Sequence, residues 1–380
     1  MPQTARLLPL LVLALFSLTA LAAPPPVPAP PTFDARAWIL IDAQSGRVIT
    51  SHDADTPHEP ASITKLMTAY AVFQAVRAGK LSLDTAVPIS ERAWRSEGSR
   101  SFVDLNSRVP IEVLLQGVIV QSGNDASIAL AEAVAGSEEA FAGLMNEYAR
   151  RLGMTQSYFE NSTGLPGERH RVSARDMGVL GRAIVREFPE YYRWYSQREF
   201  TWNNITQRNR NGLLDRDPAV DGMKTGHTST AGYCLVSSAQ RDGMRMIAVV
   251  LGTPSVRARE DASMALLNYG LNFFETRRVH PKGTELAMPR ILRAPGGKAA
   301  VGIADELYVT VPRGRGGDLE VAVEVEPKLR APIAASQPVG RVTVSLDGEV
   351  VAAQPLYPLA DVAEGGFFRR LWDTIVGWFT

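Results

Sequence analysis

The 380-residue chain holds a single cysteine, Cys234, which excludes both an intramolecular disulfide and a metal site built from several cysteines. Its five histidines, at 52, 58, 170, 227 and 280, show no ligand spacing, and there is no H-E-x-x-H and no G-x-S-x-G elbow. No cofactor and no metal are expected. Neither sign of charge is in excess: forty basic and forty acidic side chains cancel, so nothing points to nucleic acid or another polyanionic partner. Lysine is scarce, with six against thirty-four arginines, so each lysine raises the question of why arginine would not serve. A content of 45% hydrophobic and 21% charged residues is that of a globular protein, and the length leaves room for two or three domains.

The two ends of the chain differ from the rest. Residues 1–22 read as a secretory signal: one positive charge at Arg6, an apolar run from Leu7 to Leu18, and Ala20-Leu21-Ala22 as an A-x-A cleavage site. That run is about 12 residues, short of the roughly 20 needed to span a bilayer, so removal and export are expected. Residues 23–32, with six prolines between Pro24 and Pro31, form a stiff extended linker. At the other end, 363–380 reads as an amphipathic helix after Glu364-Gly365-Gly366. Phe368, Leu371, Trp372, Ile375, Val376 and Phe379 share one face, and Arg369, Arg370 and Asp373 fall largely opposite. Residues 367–380 make about 21 Å of helix, too short to cross roughly 30 Å of hydrocarbon. The expectation is a helix lying flat on the inner membrane surface.

Between the ends, residues 33–280 read as one α+β domain. Short strands at Ala37 to Ile41 and Arg47 to Ser51 precede a mainly helical stretch from Ser62 to about Ala219. Strands return at Asp221 to His227, Gly232 to Ala239 and Met244 to Leu251, followed by a helix from about Arg259 to Phe274. A sheet built from both ends of the domain, with a helical insert between, is the layered solution. From 281 to 362 the texture is strand alternation, with an Asp347-Gly348 hairpin turn, and reads as a separate all-β domain.

Three clusters carry chemistry in order: Ser62-Ile63-Thr64-Lys65 opening a helix, Ser122-Gly123-Asn124 between helical patterns, and Lys224-Thr225-Gly226 followed by His227 at the end of a strand. Ser62 and Lys65, three apart on a helix, share a face. A serine hydroxyl is a weak nucleophile until a base takes its proton. Lysine serves as that base once burial or a neighbouring cation lowers its pKa, whereas arginine does not deprotonate. Ser62 also lies near a helix N-terminus, where free N–H groups favour a developing oxyanion. Serine as a plain helix N-cap explains Ser62 but not Lys65.

On these residues the chain resembles the low-molecular-mass penicillin-binding proteins, the D-alanyl-D-alanine carboxypeptidases of the Gram-negative periplasm. The resemblance runs from about Phe33 to the C-terminus. It includes Pro60 to Lys65, Gln121 to Ala126, Ser173-Ala174-Arg175-Asp176, Asn209 to Leu214, Val220 to His227 and Phe273 to Thr276. It implies a β-lactamase/transpeptidase-like domain, and a serine carboxypeptidase that removes the terminal D-alanine from peptidoglycan pentapeptides and is acylated by β-lactams such as penicillin. It further implies Ser62 as nucleophile, Lys65 as general base and Ser122 as proton relay. Asn124, Lys224, Thr225, Gly226 and His227 would line the substrate, with the Ser62 and His227 N–H groups as oxyanion hole and Arg259 on the terminal carboxylate. Class A β-lactamases are the alternative, since Glu160 falls roughly where they place a deacylating glutamate. Against this, Glu160-Asn161-Ser162-Thr163-Gly164 lacks E-x-x-L-N, and Ser122-Gly123-Asn124 replaces Ser-Asp-Asn. A non-catalytic protein that only binds penicillin or wall peptide would need neither Lys65 nor Ser122.

Overall fold

A computed structural model describes residues 26–366. The expected signal at 1–22 and the amphipathic residues 367–380 lie outside the described residues.

Five strands form the central antiparallel sheet: β1 (Ala37–Asp42), β2 (Val48–His52), β3 (Val220–Thr228), β4 (Gly232–Arg241) and β5 (Met244–Thr253), in the order β2-β1-β5-β4-β3. Strand β1 is buried along its whole length, which explains its unbroken apolar run rather than an alternating one. Ala37, Ile39 and Ile41 join the core beneath the helical insert, and Trp38 and Leu40 join a second core on the other face. The insert carries α1 (Lys65–Arg77), α2 (Asn124–Ala135) and α3 (Ala174–Glu187). Helix α4 (Val256–Phe273) covers the opposite face through Ala262, Leu266 and Leu267. The domain is thus three layers, helices on sheet on helix.

The expected helical stretch before Ala219 contains two antiparallel strand pairs, Ala86–Pro88 with Arg108–Pro110 and Glu199–Trp202 with Ile205–Arg208. Their strands are too short to show alternation, although Asn203-Asn204, both at positive φ, is a two-residue hairpin turn. Helix α4 starts at Val256, earlier than expected, because Ser255 caps it by accepting the Ala258 N–H at 3.1 Å.

The change to all-β pairing comes at Phe274 rather than at 281. Phe274–His280 pairs with Leu307–Pro312, and a five-stranded sheet follows that includes Glu320–Val325, Gly340–Leu346 and Glu349–Pro358. Asp347 and Gly348, at φ 54° and 80°, make the expected hairpin turn. The two units meet at a hydroxyl–carboxylate cluster. Buried Asp42 accepts the Thr276 hydroxyl at 2.7 Å, and Ser45 and Thr276 bond Thr310 at 2.6 and 2.8 Å. Among the described residues no helix is long and apolar enough to cross a membrane, and no cluster of His, Cys, Asp and Glu is arranged to hold a metal.

Candidate active site

Ser62 lies in a 3-10 turn, Ala61–Thr64, that feeds directly into α1 at Lys65. The offset of three places the Lys65 amine 3.1 Å from the Ser62 hydroxyl. The amine is fully buried and is held from two more directions, by Asn124 Oδ1 at 2.7 Å and the Thr163 carbonyl at 2.5 Å. These two are acceptors only. A neutral amine satisfies them with its two N–H bonds and leaves its lone pair for the one neighbour able to donate, the Ser62 hydroxyl. Neutrality is favoured electrostatically. Burial, then the Arg210 charge, lower the Lys65 pKa from its ordinary range to about 7, against the opposing pull of Asp125 and Glu138.

The Thr163 carbonyl is aimed by its loop. Asn161 Oδ1 accepts from the Thr163 and Gly164 N–H groups at 3.1 and 2.7 Å. Gly164, at φ +86°, passes so close to Ala61 that a Cβ would stand 1.9 Å from the Ala61 carbonyl oxygen. Glu160, in the same loop, is turned elsewhere: it accepts the Arg169 N–H at 3.0 Å and does not line the cleft. His170 bonds Thr64 through Nε2 at 3.0 Å, and burial lowers its pKa to about 4, so the ring stays neutral beneath the start of α1.

Ser122 and Asn124 come from the irregular junction between a π turn, Gly117–Gln121, and α2. Ser122 is left-handed at φ 68°, a strained conformation for a residue with a Cβ, and its buried hydroxyl has no partner within the described residues. Strain and an unsatisfied buried hydroxyl together mark a group reserved for a ligand. Asn124 also donates to the Glu97 carbonyl at 2.6 Å, and buried Asp125 accepts the Ser101 N–H at 2.8 Å, fixing the 97–103 wall to α2.

Lys224, Thr225, Gly226 and His227 lie within β3, which runs one residue further at each end than the expected Asp221 to His227. Gly226 permits the closest approach in the site. A Cβ there would stand 2.9 Å from the Pro60 carbonyl and 3.1 Å from the Ser62 and Ile63 nitrogens. The strand therefore runs against the turn that presents Ser62. Lys224 is buried and donates to the Thr225 carbonyl at 3.1 Å; burial, then Lys65, Arg210 and Arg259, push its pKa well below the ordinary lysine range. His227 stacks on Tyr233 with ring centroids 4.0 Å apart. Arg259, buried in the first turn of α4, sits over the Tyr233 ring at 5.7 Å, with its Nε unpartnered.

These groups open on a cleft of about 450 Å³ lined by Ser62, Ser99, Ser122, Arg210, Thr225, Gly226, His227, Tyr233, Val256 and Arg259. The structure thus brings all nine residues singled out from the sequence to one place: six line the cleft directly, and Lys65, Asn124 and Lys224 lie buried behind. Sequence reasoning missed Ser99, Arg210, Tyr233 and the Thr163 carbonyl. Arg210 lies in one of the resembling stretches, but its residue type does not stand out in so arginine-rich a chain. A backbone carbonyl leaves no mark on the sequence at all. No carboxylate lines the cleft, so its chemistry is that of a nucleophile and a base facing an anionic substrate.

Residues 25–255 match a family described as D-alanyl-D-alanine carboxypeptidase, and residues 274–364 match the C-terminal domain of penicillin-binding protein 5. Two Escherichia coli K12 relatives are D-alanyl-D-alanine carboxypeptidases. DacA is 40% identical over 92% of this chain and 89% of its own, and DacC is 42% identical over 96% and 93%. Penicillin-binding protein 5 from Haemophilus influenzae superposes with a TM-score of 0.83 at 39% identity, covering 88% of this chain and 99% of its own. An ampicillin-bound penicillin-binding protein D2 from Listeria monocytogenes has a TM-score of 0.60 at 26% identity over 64% of this chain and 100% of its own.

Proposed function

The chain belongs to the S11 family of D-alanyl-D-alanine carboxypeptidases, serine-peptidase hydrolases and penicillin-binding proteins, and from that premise we propose which of its residues carry the reaction, on what substrate and where. The substrate is the peptidoglycan pentapeptide. Neutral Lys65 takes the Ser62 proton as Ser62 Oγ adds to the carbonyl carbon between the two D-alanines. The Ser62 and His227 N–H groups stabilise the oxyanion; the near-contact of Gly226 with the Ser62 turn supports this pairing. Asn124 bonds the substrate amide, and Thr225 and Arg259 hold the terminal carboxylate.

Collapse of the adduct breaks the C–N bond. Ser122 passes a proton to the departing D-alanine amine, drawn from the Lys65 ammonium and supported by Lys224. The substrate carboxylate opposes the burial, and the repulsion by Lys65, Arg210 and Arg259, that lower the Lys224 pKa, and so favours the charged ammonium when substrate arrives. Water, deprotonated by Lys65, then releases the shortened peptide and restores Ser62. β-Lactams enter the same path and stop at the acyl-enzyme. The observation that carries this reading is the Lys65 amine held by two acceptors, Asn124 Oδ1 and the Thr163 carbonyl, at 3.1 Å from the Ser62 hydroxyl.

The enzyme works on the periplasmic face of the inner membrane. The signal pattern of 1–22 and the amphipathic pattern of 367–380, directly after the β unit, support this placement.

Ser62→Ala is expected to abolish both D-alanine release and the penicillin adduct. Mass spectrometry of the penicillin-treated protein locates the adduct, and label on any other serine refutes the assignment.

A further inference from the structure

The strand Glu320–Val325 forms one edge of the five-stranded sheet in the β unit and pairs only with Gly340–Leu346. Every residue from Glu320 to Glu324 is exposed, including Val321 at 43% and Val323 at 37%. These two valines stand directly opposite Val344 and Val342, which are fully buried in a core shared with Val309 and Val311. Directly opposed residues lie on the same face of a sheet. The apolar stripe therefore runs on past its cover to the rim of the sheet. Sheets normally blunt such an edge, because its unpaired backbone groups are a template for another strand.

The ladder decides which backbone groups are free. Glu326 donates its N–H to the Val339 carbonyl, and bonding alternates along an antiparallel pair. Glu320, Ala322 and Glu324 thus bond toward Gly340–Leu346, and the N–H and C=O groups of Val321 and Val323 point outward. Among the described residues no other strand pairs with them. The two faces of this edge differ in chemistry. Val321 and Val323 form one, while Glu320, Ala322, Glu324 and Glu326 share the other. Of these three glutamates, Glu324 pairs with Arg341 at 2.7 Å, and Glu320 and Glu326 have no ion pair with any described residue.

We propose that the Glu320–Val325 edge docks an extended segment of a partner protein in which apolar residues alternate with lysine or arginine. Such a segment adds a strand to the sheet through the outward groups of Val321 and Val323. Its apolar residues continue the Val342/Val344 stripe over the two exposed valines, and its basic residues fall beside Glu320 and Glu324. A second copy of this chain is a poor occupant. Antiparallel pairing of the edge with itself, centred on Ala322, sets Glu320 opposite Glu324, and like charges directly opposed are destabilising. The acids that hold copies apart are the ones that select a basic strand.

The test uses the full-length enzyme in detergent and two fluorescent peptides of about nine residues, long enough to span the edge. One alternates valine with lysine and the other valine with glutamate, and anisotropy reads binding. The lysine peptide is expected to bind saturably, and the glutamate peptide at least about tenfold more weakly. Val323→Pro removes an outward N–H that the sheet does not use, a substitution edge strands tolerate, and is expected to weaken the lysine peptide about tenfold. The thermal melt and D-alanine release are expected to stay unchanged. Glu320→Lys combined with Glu324→Lys, on an exposed face, is expected to reverse the preference between the peptides, and it keeps the test intact if Val323→Pro disturbs the fold. Absence of saturable binding, equal binding of both peptides, or binding indifferent to the charge reversal overturns the proposal. A concentration-dependent dimer abolished by Val323→Pro would overturn it too, by giving the edge to a second copy.

Discussion

At the scale of single residues, the site turns on a lysine that must be free of its proton. Lys65 has its pKa lowered to about 7, with burial as the first cause. Because the pKa is lowered, the neutral base is populated above about pH 7 and lost as the pH falls below it. The kcat/KM for a D-Ala-D-Ala peptide is therefore expected to fall along an acidic limb centred near pH 7. Lys65→Arg, unable to deprotonate, is expected to lose about 10²- to 10⁴-fold, nearly as much as Lys65→Ala. A limb centred near pH 4, or a Lys65→Arg enzyme with a tenth of full activity, would assign the base elsewhere. His170 is not that base: its ring is tied to Thr64 and is already neutral throughout this range.

At the scale of elements, catalysis depends on how tightly β3 runs past the turn before α1. Gly226 is the point of contact, where a methyl group would meet Pro60 O, Ser62 N and Ile63 N at 2.9 to 3.1 Å. Ser62 N is one of the two proposed oxyanion donors. Gly226→Ala is expected to lower kcat by about 10²- to 10³-fold, the cost of losing one such donor, while the far larger hydrophobic core keeps the protein folded. Stopped-flow acylation by a chromogenic β-lactam, beside a thermal melt, checks this. Unchanged acylation would show that the turn and the strand have room to separate.

At the scale of the whole molecule, the catalytic cleft and the proposed anchor sit at different ends of the chain. Every residue assigned a role in the reaction precedes Glu260. The tail has Phe368, Leu371, Trp372, Ile375 and Phe379 on one side of its pattern, each contributing roughly 1.5 to 3 kcal/mol when buried. Arg369 and Arg370 add about 1 kcal/mol each on anionic lipid. The apolar sum outweighs the charges, so the mature enzyme is expected to stay with the membrane fraction in high salt and to leave it in detergent. A chain ending at Gly366 is expected to be soluble and fully active on small peptides. Release of the full chain by salt, or pelleting of the shortened one, would place the anchor elsewhere.

What the sequence determined by itself was the chemistry and the coarse fold. Ser62 and Lys65 meet because three residues of helix bring them together, and lysine in an arginine-rich chain marks a group that must titrate. The apolar strands and the Asp347-Gly348 turn announced themselves through local pattern. Tertiary structure alone decided what depends on contacts between distant segments: the Thr163 carbonyl on Lys65, the turning away of Glu160, the place of Arg210 in the cleft, and the pairing of Phe274–His280 with Leu307–Pro312. A carbonyl has no residue type, and a strand's partner has no local signature. Both are fixed only when the chain folds and brings residues far apart in sequence to within hydrogen-bond reach, 98 positions in the case of Thr163 and Lys65.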